Sequence, residues 1–104
     1  MRAVFTPAAV RDLGELRRYL TPLSPEGLAS VTRAIERRIQ AALDFPASGR
    51  PSPHPEVREI VEPHYGFLIP YAVRSESLIV LRIYRSARKP LDYEALARSL
   101  PRDP

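Results

Sequence analysis

Apolar residues recur at every third or fourth position through much of the first half of the chain. This pattern predicts one amphipathic helix from about Pro7 to Leu20 and a second from about Pro25 to Asp44. Their apolar stripes are formed by Ala9, Leu13, Leu16 and Leu20 in the first helix and by Leu28, Val31, Ile35, Ile39 and Ala42 in the second. Because only a few residues separate the helices, we expect an antiparallel hairpin.

Both predicted helices begin with the same pair of residue types, Thr6-Pro7 in the first and Ser24-Pro25 in the second. A threonine or serine hydroxyl at this position can accept a hydrogen bond from an unpaired backbone N–H of the first turn. Proline suits the first helical position because its missing N–H is not needed there. The sequence therefore defines both helix starts.

The second half of the chain is rich in β-branched and aromatic residues, which is typical of strands. Three segments are predicted as strands: VREIVE (57–62), FLIPYAV (67–73) and SLIVLRIY (77–84). Because tight turns join them, consecutive strands should pair antiparallel as a meander. RAVF at 2–5 predicts one more strand, and PLDYEALARS at 90–99 predicts a short final helix before a frayed tail.

These elements predict an α+β fold in the order β-α-α-β-β-β, with a short C-terminal helix. An N-terminal strand precedes the helical hairpin, which should pack on one face of a small, mainly antiparallel sheet. The whole chain, residues 1–104, is expected to form one domain. Pro70 cannot donate to a strand ladder, so the second meander strand requires a bulge or an unpaired edge there.

Alternation along the last two strands assigns their side chains to the two faces of the sheet. The face expected to pack on the helices holds Phe67, Ile69, Tyr71, Val73, Ile79, Leu81 and Ile83. The opposite face is expected to hold Leu68, Ala72, Arg74, Leu78, Val80, Arg82 and Tyr84. Since only the short C-terminal helix could cover part of it, this second face predicts an apolar, protein-binding groove with a basic rim.

Composition narrows the possible chemistry. The 104 residues are 44% hydrophobic and 27% charged, which is ordinary for a globular domain. No apolar run reaches about 18 residues and no signal-peptide pattern opens the chain, so we expect a cytoplasmic protein without a membrane span. Cysteine is absent and the two histidines are His54 and His64, so neither a metal site nor a cofactor is expected.

The stretch LRIYRSARKP, residues 81–90, begins as a strand and ends as a cluster of positive charge. Arg82, Arg85, Arg88 and Lys89 fall within eight residues without an acid among them, in a chain of net charge +4. A solvated strand end explains this cluster, and so does a surface that binds an anion or an acidic partner. Charge alone leaves both interpretations open.

The order of these features resembles the ParE branch of the RelE/ParE superfamily of bacterial toxin–antitoxin modules. The resemblance covers nearly all of residues 2–89, and it is carried by FTPAAVRDLGELRRYL, DFPASGRP, VREIVEPHYGFLIPYAV and LIVLRIYRSAR. It implies a cognate antitoxin, ParD-like with a ribbon-helix-helix or similar DNA-binding part, that wraps and inactivates the chain. Nucleic acid is then contacted only indirectly, through the antitoxin or the target.

The resemblance implies one of two activities, because ParE-like members are similar to DNA gyrase inhibitors and RelE-like members are ribosome-dependent mRNA endonucleases. RelE-like nucleases commonly place a basic residue where this sequence has Leu68, which favours the gyrase inhibitor, without catalytic residues. Leu68 also departs from the arginine usual in ParE-like chains. A nuclease would use Arg82 and Arg85 for phosphate and Tyr84 or Lys89 for proton transfer, with Glu62 or His64 of the first turn adding a carboxylate or an imidazole.

A third alternative is a non-toxic binding module that kept the fold. In each case the residues expected to bind the antitoxin or the target belong to the second face of the sheet and its cationic end. They are Leu68, Arg74, Leu78, Val80, Arg82, Tyr84, Arg85, Arg88 and Lys89.

Overall fold

The computed structural model describes residues 1–101, which form six strands and three helices. The strands are β1 (Arg2–Phe5), β2 (Arg50–Pro51), β3 (Arg58–Glu62), β4 (Phe67–Arg74), β5 (Ser77–Val80) and β6 (Tyr84–Arg85). The helices are α1 (Pro7–Leu20), α2 (Pro25–Asp44) and α3 (Tyr93–Arg98). The predicted α+β order is confirmed, and the predicted tail after Pro101 lies outside the described residues.

The first two helices begin and end where the sequence predicts. The Thr6 hydroxyl accepts a hydrogen bond from the Ala9 N–H (3.1 Å), and the Ser24 hydroxyl accepts one from the Gly27 N–H (2.9 Å). The Thr6 hydroxyl also donates to the Leu81 carbonyl (2.9 Å), which ties the start of α1 to the end of β5. One side chain therefore caps the helix and fixes its position against the sheet.

The strands form one mixed sheet in the order β1-β5-β4-β3-β2, with β6 pairing to β4 beyond the end of β5. The pairs β2–β3, β3–β4 and β4–β5 are antiparallel, which confirms the predicted meander. The β1–β5 pair is parallel. The long connection that parallel strands require is supplied by the helical hairpin and strands β2 to β4, which lie between β1 and β5 in the sequence.

The third predicted meander strand is interrupted by a bulge. Tyr71 pairs with Val80, whereas Leu68 pairs with Tyr84. The three residues 81–83 between β5 and β6 therefore lie opposite only two residues of β4, Ile69 and Pro70. Pro70 has no backbone N–H and cannot donate a hydrogen bond to a neighbouring strand. The requirement that Pro70 places on the sheet is thus met by a bulge, which separates β5 from β6.

One face of the sheet packs against α1 and α2, as predicted. The helices contribute residues of their predicted apolar stripes: Ala9, Val31, Ile35, Ile39 and Ala42. The buried sheet residues of this core are Ile60, Phe67, Ile69, Tyr71, Leu78, Val80 and Ile83. Phe67, Ile69 and Tyr71 of β4 therefore meet the helices as expected, whereas Val73, near the end of the strand, is exposed.

The predicted facing of β5 is wrong by one residue. Leu78 and Val80 are fully buried against the helical hairpin, whereas Ile79 and Leu81 point to the opposite face. Tyr71 pairs directly with Val80 and therefore shares its face. No polar residue in LIVL distinguishes the two faces, so the sequence pattern could not fix the register.

The opposite face of the sheet is covered by α3. The apolar cluster on this side has Val57, Ala72, Ile79 and Leu81 in and beside the strands and Leu100 after α3, and the α3 side chains Tyr93, Leu96 and Ala97 pack against it. The apolar groove predicted from the sequence is thus filled by the C-terminal helix of the same chain.

Candidate partner-binding site

A cleft of about 390 Å³ opens where α1 passes the bulge between β5 and β6. Its walls are formed by Asp12, Glu15, Leu16 and Tyr19 of α1 and, from the sheet and the segment after it, by Phe67, Arg82, Ile83, Tyr84, Arg85 and Arg88. The bulge places Arg82, Arg85 and Arg88 on the same cleft. Lys89 follows them and is exposed.

Arg82 is held by an acid that lies 70 positions earlier in the chain. Its Nε donates to Asp12 Oδ2 (2.7 Å) and its Nη2 donates to Asp12 Oδ1 (2.9 Å), which is a two-pronged ion pair. The Ile83 N–H donates to Asp12 Oδ2 as well (2.9 Å). The Asp12 side chain is 11% exposed and that of Arg82 27% exposed, so water screens this pair only in part.

The surroundings of Arg82 favour its charged form. Hydrogen bonding to Asp12 raises the pKa of Arg82 above its ordinary value, and burial opposes this effect more weakly. Tyr84 and Glu15 add smaller Coulombic contributions in the same direction. The guanidinium also lies over the Tyr84 ring, 5.1 Å from its centroid. Arg82 is therefore a permanently charged group with its donors directed at Asp12.

Arg85, Arg88 and Lys89 differ from Arg82 because all three are exposed. The Arg85 guanidinium lies 5.1 Å from the centroid of the Phe67 ring, and the Arg88 N–H donates to the Arg85 carbonyl (3.1 Å) in a turn. Within residues 1–101 none of the three forms a salt bridge. We call Arg85, Arg88 and Lys89 the cationic rim.

Tyr84 and His64, candidates for proton transfer in a nuclease, occupy different places. The buried Tyr84 donates its hydroxyl hydrogen to the Lys89 carbonyl (2.6 Å), which fixes the turn that carries the cationic rim. His64 is exposed in the β3–β4 turn, where its ring lies 4.3 Å from that of Tyr65, and it is not part of the cleft wall. The structure does not bring the two side chains together at this cleft.

Four other predicted binding residues do not line the cleft. Leu78 and Val80 are core residues beneath the helical hairpin, so the expectation that they face a partner is wrong. Arg74 ends β4, at the opposite end of that strand from Phe67, and pairs with Glu56. Leu68 is partly buried and pairs with Tyr84 across the strand.

The sequence reasoning missed the α1 side of the cleft, formed by Asp12, Glu15, Leu16 and Tyr19. These residues recur at spacings of three and four and therefore share one face of the helix. The spacing could have identified this set as a second face of α1, with acidic, apolar and aromatic side chains, next to the face that packs in the core. Its pairing with Arg82 depends on the tertiary fold.

No group of three or more histidine and acidic residues that could hold a metal ion occurs within residues 1–101. In the same part of the chain no helix has the length and apolar character needed to cross a membrane. Arginine, carboxylate and tyrosine groups line the cleft.

Comparison with known proteins places this architecture among bacterial toxins. A solved structure described as "Chromosomal ParDE TA system from P. aeruginosa" superposes with a TM-score of 0.69 at 26% identity, covering 82% of this chain and 95% of the other. The Sinorhizobium fredii protein named "Putative toxin Y4kP" is 29% identical over 89 residues, or 86% of this chain and 93% of its own.

Residues 3–90 match the family of ParE toxins of type II toxin–antitoxin systems, parDE. The chain therefore belongs to the ParE toxin family, within the RelE/ParE superfamily, and the resemblance expected from the sequence is confirmed. A toxin of a ParDE system implies a cognate ParD antitoxin as its partner. The cleft, the bulge and the whole cationic rim lie inside the matched residues.

Proposed function

We propose that this ParE toxin inhibits DNA gyrase and that its ParD antitoxin neutralises it by binding at the cationic rim. The observation that supports this proposal is the position of Arg85, Arg88 and Lys89. All three stand exposed beside one cleft, whereas Arg82 in the same cleft is already paired with an acid. An acidic segment of a protein partner would find exposed positive charge next to aromatic and aliphatic walls.

The alternative, a RelE-like nuclease, needs a phosphate ligand and a proton-transfer group at one place. The strand-end arginine, Arg82, directs its donors at Asp12, and the Tyr84 hydroxyl is engaged by the Lys89 carbonyl. His64 lies outside the cleft wall. These contacts favour a toxin that acts by binding a protein over one that cuts RNA.

Charge reversal tests the binding site. Arg85→Glu/Arg88→Glu should weaken the complex with the ParD protein of the same operon by about 10- to 100-fold at low salt, since like charges then face each other. The difference should shrink as salt rises, because the Debye length falls from about 10 Å at 0.1 M to about 3 Å at 1 M. Isothermal titration calorimetry measures both effects.

The matched control is Arg33→Glu/Arg37→Glu, which makes the same charge change on the exposed face of α2. If both double variants weakened the complex equally, net charge rather than the cationic rim would explain binding. Circular dichroism of each variant shows whether the fold is kept.

A supercoiling assay tests the target. Toxin freed of antitoxin should block supercoiling of relaxed plasmid by purified gyrase, and ParD should restore it. In a parallel experiment, the same toxin added to a reconstituted translation reaction should leave a defined mRNA intact. Cleaved message would replace gyrase inhibition with the nuclease alternative, and normal growth on expression without ParD would leave a non-toxic binding module.

We further propose that the whole chain, residues 1–104, acts as a single domain in the cytoplasm, where DNA gyrase works. Fractionation of cells that express the tagged toxin with ParD tests the location. Recovery in the membrane fraction would contradict it.

A further inference from the structure

The contact between α1 and the bulge has the composition of an anion-binding site. A guanidinium donates twice to one carboxylate, and the adjacent Ile83 N–H donates to the same group. A phosphate oxygen pair accepts hydrogen bonds from arginine in the same two-pronged arrangement. The bound anion here is the side chain of Asp12.

We propose that Arg82 and the Ile83 N–H form a phosphate-binding site that Asp12 fills from within the chain, so that Asp12 excludes nucleic-acid phosphate from the end of the sheet. Asp12 is then a specificity-determining residue. Asp12 pairs with Arg82, so that only the cationic rim is left to bind a protein partner. This consequence for the target rests on the proposed function, whereas the anion site rests on the contacts alone.

The arrangement of the cleft explains why phosphate is the fitting ligand class. Arg82, Arg85 and Arg88 line one cleft, so an anion placed at the Asp12 carboxylate would be near three guanidinium groups. Glu15 lines the same cleft but accepts no hydrogen bond from Arg82 among the described contacts. Asp12 is held covalently in place by α1, so it outcompetes a free phosphate without any cost of association.

Asp12→Ala tests this inference because it should open the site while leaving its donors in place. The first readout is the melting temperature in sodium phosphate against sodium chloride of equal ionic strength. The second is fluorescence anisotropy of a labelled 12-nucleotide uridine RNA. We expect phosphate to raise the melting temperature of Asp12→Ala but not that of the wild type. We expect RNA affinity to rise about tenfold at low salt.

Glu15→Ala is the matched control, since it removes one negative charge from the same cleft without freeing Arg82. Its RNA affinity should rise by no more than about twofold, which measures the contribution of net charge alone. The double variant Asp12→Ala/Arg82→Ala should lose the gain. Equal gains in Asp12→Ala and Glu15→Ala, or a gain that persists without Arg82, would overturn the proposal.

Asp12→Asn serves if the alanine variant does not fold. Its amide oxygen can still accept the Ile83 N–H, while the loss of charge weakens its hold on Arg82. A phosphate-dependent rise in melting temperature is expected here too, and its absence would contradict the proposal. Because these readouts concern purified variants, a wild type that left gyrase active would refute the proposed target without changing them.

Discussion

Replacing Tyr71 with phenylalanine removes one hydroxyl that joins the sheet to the loop after α2. The Tyr71 hydroxyl accepts a hydrogen bond from the Gly49 N–H (2.9 Å) and donates one to the Pro46 carbonyl (2.6 Å). Tyr71 itself is fully buried at the centre of the sheet. Tyr71→Phe therefore leaves one backbone donor and one backbone acceptor without their partner, at nearly constant side-chain volume.

The size of the effect follows from the burial of those two groups. Each lost hydrogen bond costs about 1 kcal/mol when water can partly replace it, and Gly49 and Pro46 are only half-buried. We expect the free energy of unfolding to fall by about 2 kcal/mol. For a domain of this size that corresponds to a loss of about 8–16 °C in melting temperature.

Urea unfolding followed by circular dichroism measures this loss, with an unchanged dependence on urea if the folded state is otherwise kept. The control is Tyr19→Phe, because the Tyr19 side chain is 63% exposed and its hydroxyl has no partner within residues 1–101. It should change stability by less than about 0.5 kcal/mol. A Tyr71→Phe effect as small as that of the control would refute a stabilising role for the two hydrogen bonds.

Three further changes test other parts of the fold. Gly66→Ala should cost about 1–2 kcal/mol in thermal unfolding, since Gly66 has a φ of +78° that disfavours a Cβ atom; an unchanged melting temperature would contradict this reasoning. Glu62→Gln should cost about 1–3 kcal/mol in urea, because both buried oxygens of Glu62 accept N–H groups of the β3–β4 turn at 2.9 Å and an amide nitrogen cannot. The exposed Glu76→Gln is its control, and equal losses would rule out the turn as the cause. Leu100→Ala should loosen α3 and increase the fluorescence of a dye that binds apolar surface, and wild-type fluorescence would mean that α3 stays docked without this side chain.

The cationic rim and the Asp12–Arg82 pair divide the charges of one cleft between two tasks. Arg82 ties α1 to the bulge, whereas Arg85 and Arg88 remain exposed. The basic residues follow one another closely in the sequence, but in the structure Arg82 is paired with an acid and Arg85 and Arg88 are exposed. Under the proposed function, this division leaves the exposed arginines to a protein partner, while Arg82 is held by Asp12.

The sequence by itself determined the elements whose signals are local. Helices α1 and α2 follow from the threonine and serine caps, the prolines beside them and an apolar residue at every third or fourth position. The meander follows from three apolar segments with short turns, and Pro70 correctly indicated a bulge or an edge. Family membership was also recognisable from the order of these segments.

Only the tertiary structure decided which groups meet. The apolar run around Leu78 and Val80 carries no polar marker of its face, and the bulge adds one residue that alternation cannot count. The Asp12–Arg82 pair joins residues 70 positions apart, so it depends on how α1 crosses the end of the sheet. Local patterns set secondary structure because helix and strand periods are properties of neighbouring residues, whereas register and charge pairing depend on distant segments that the fold brings together.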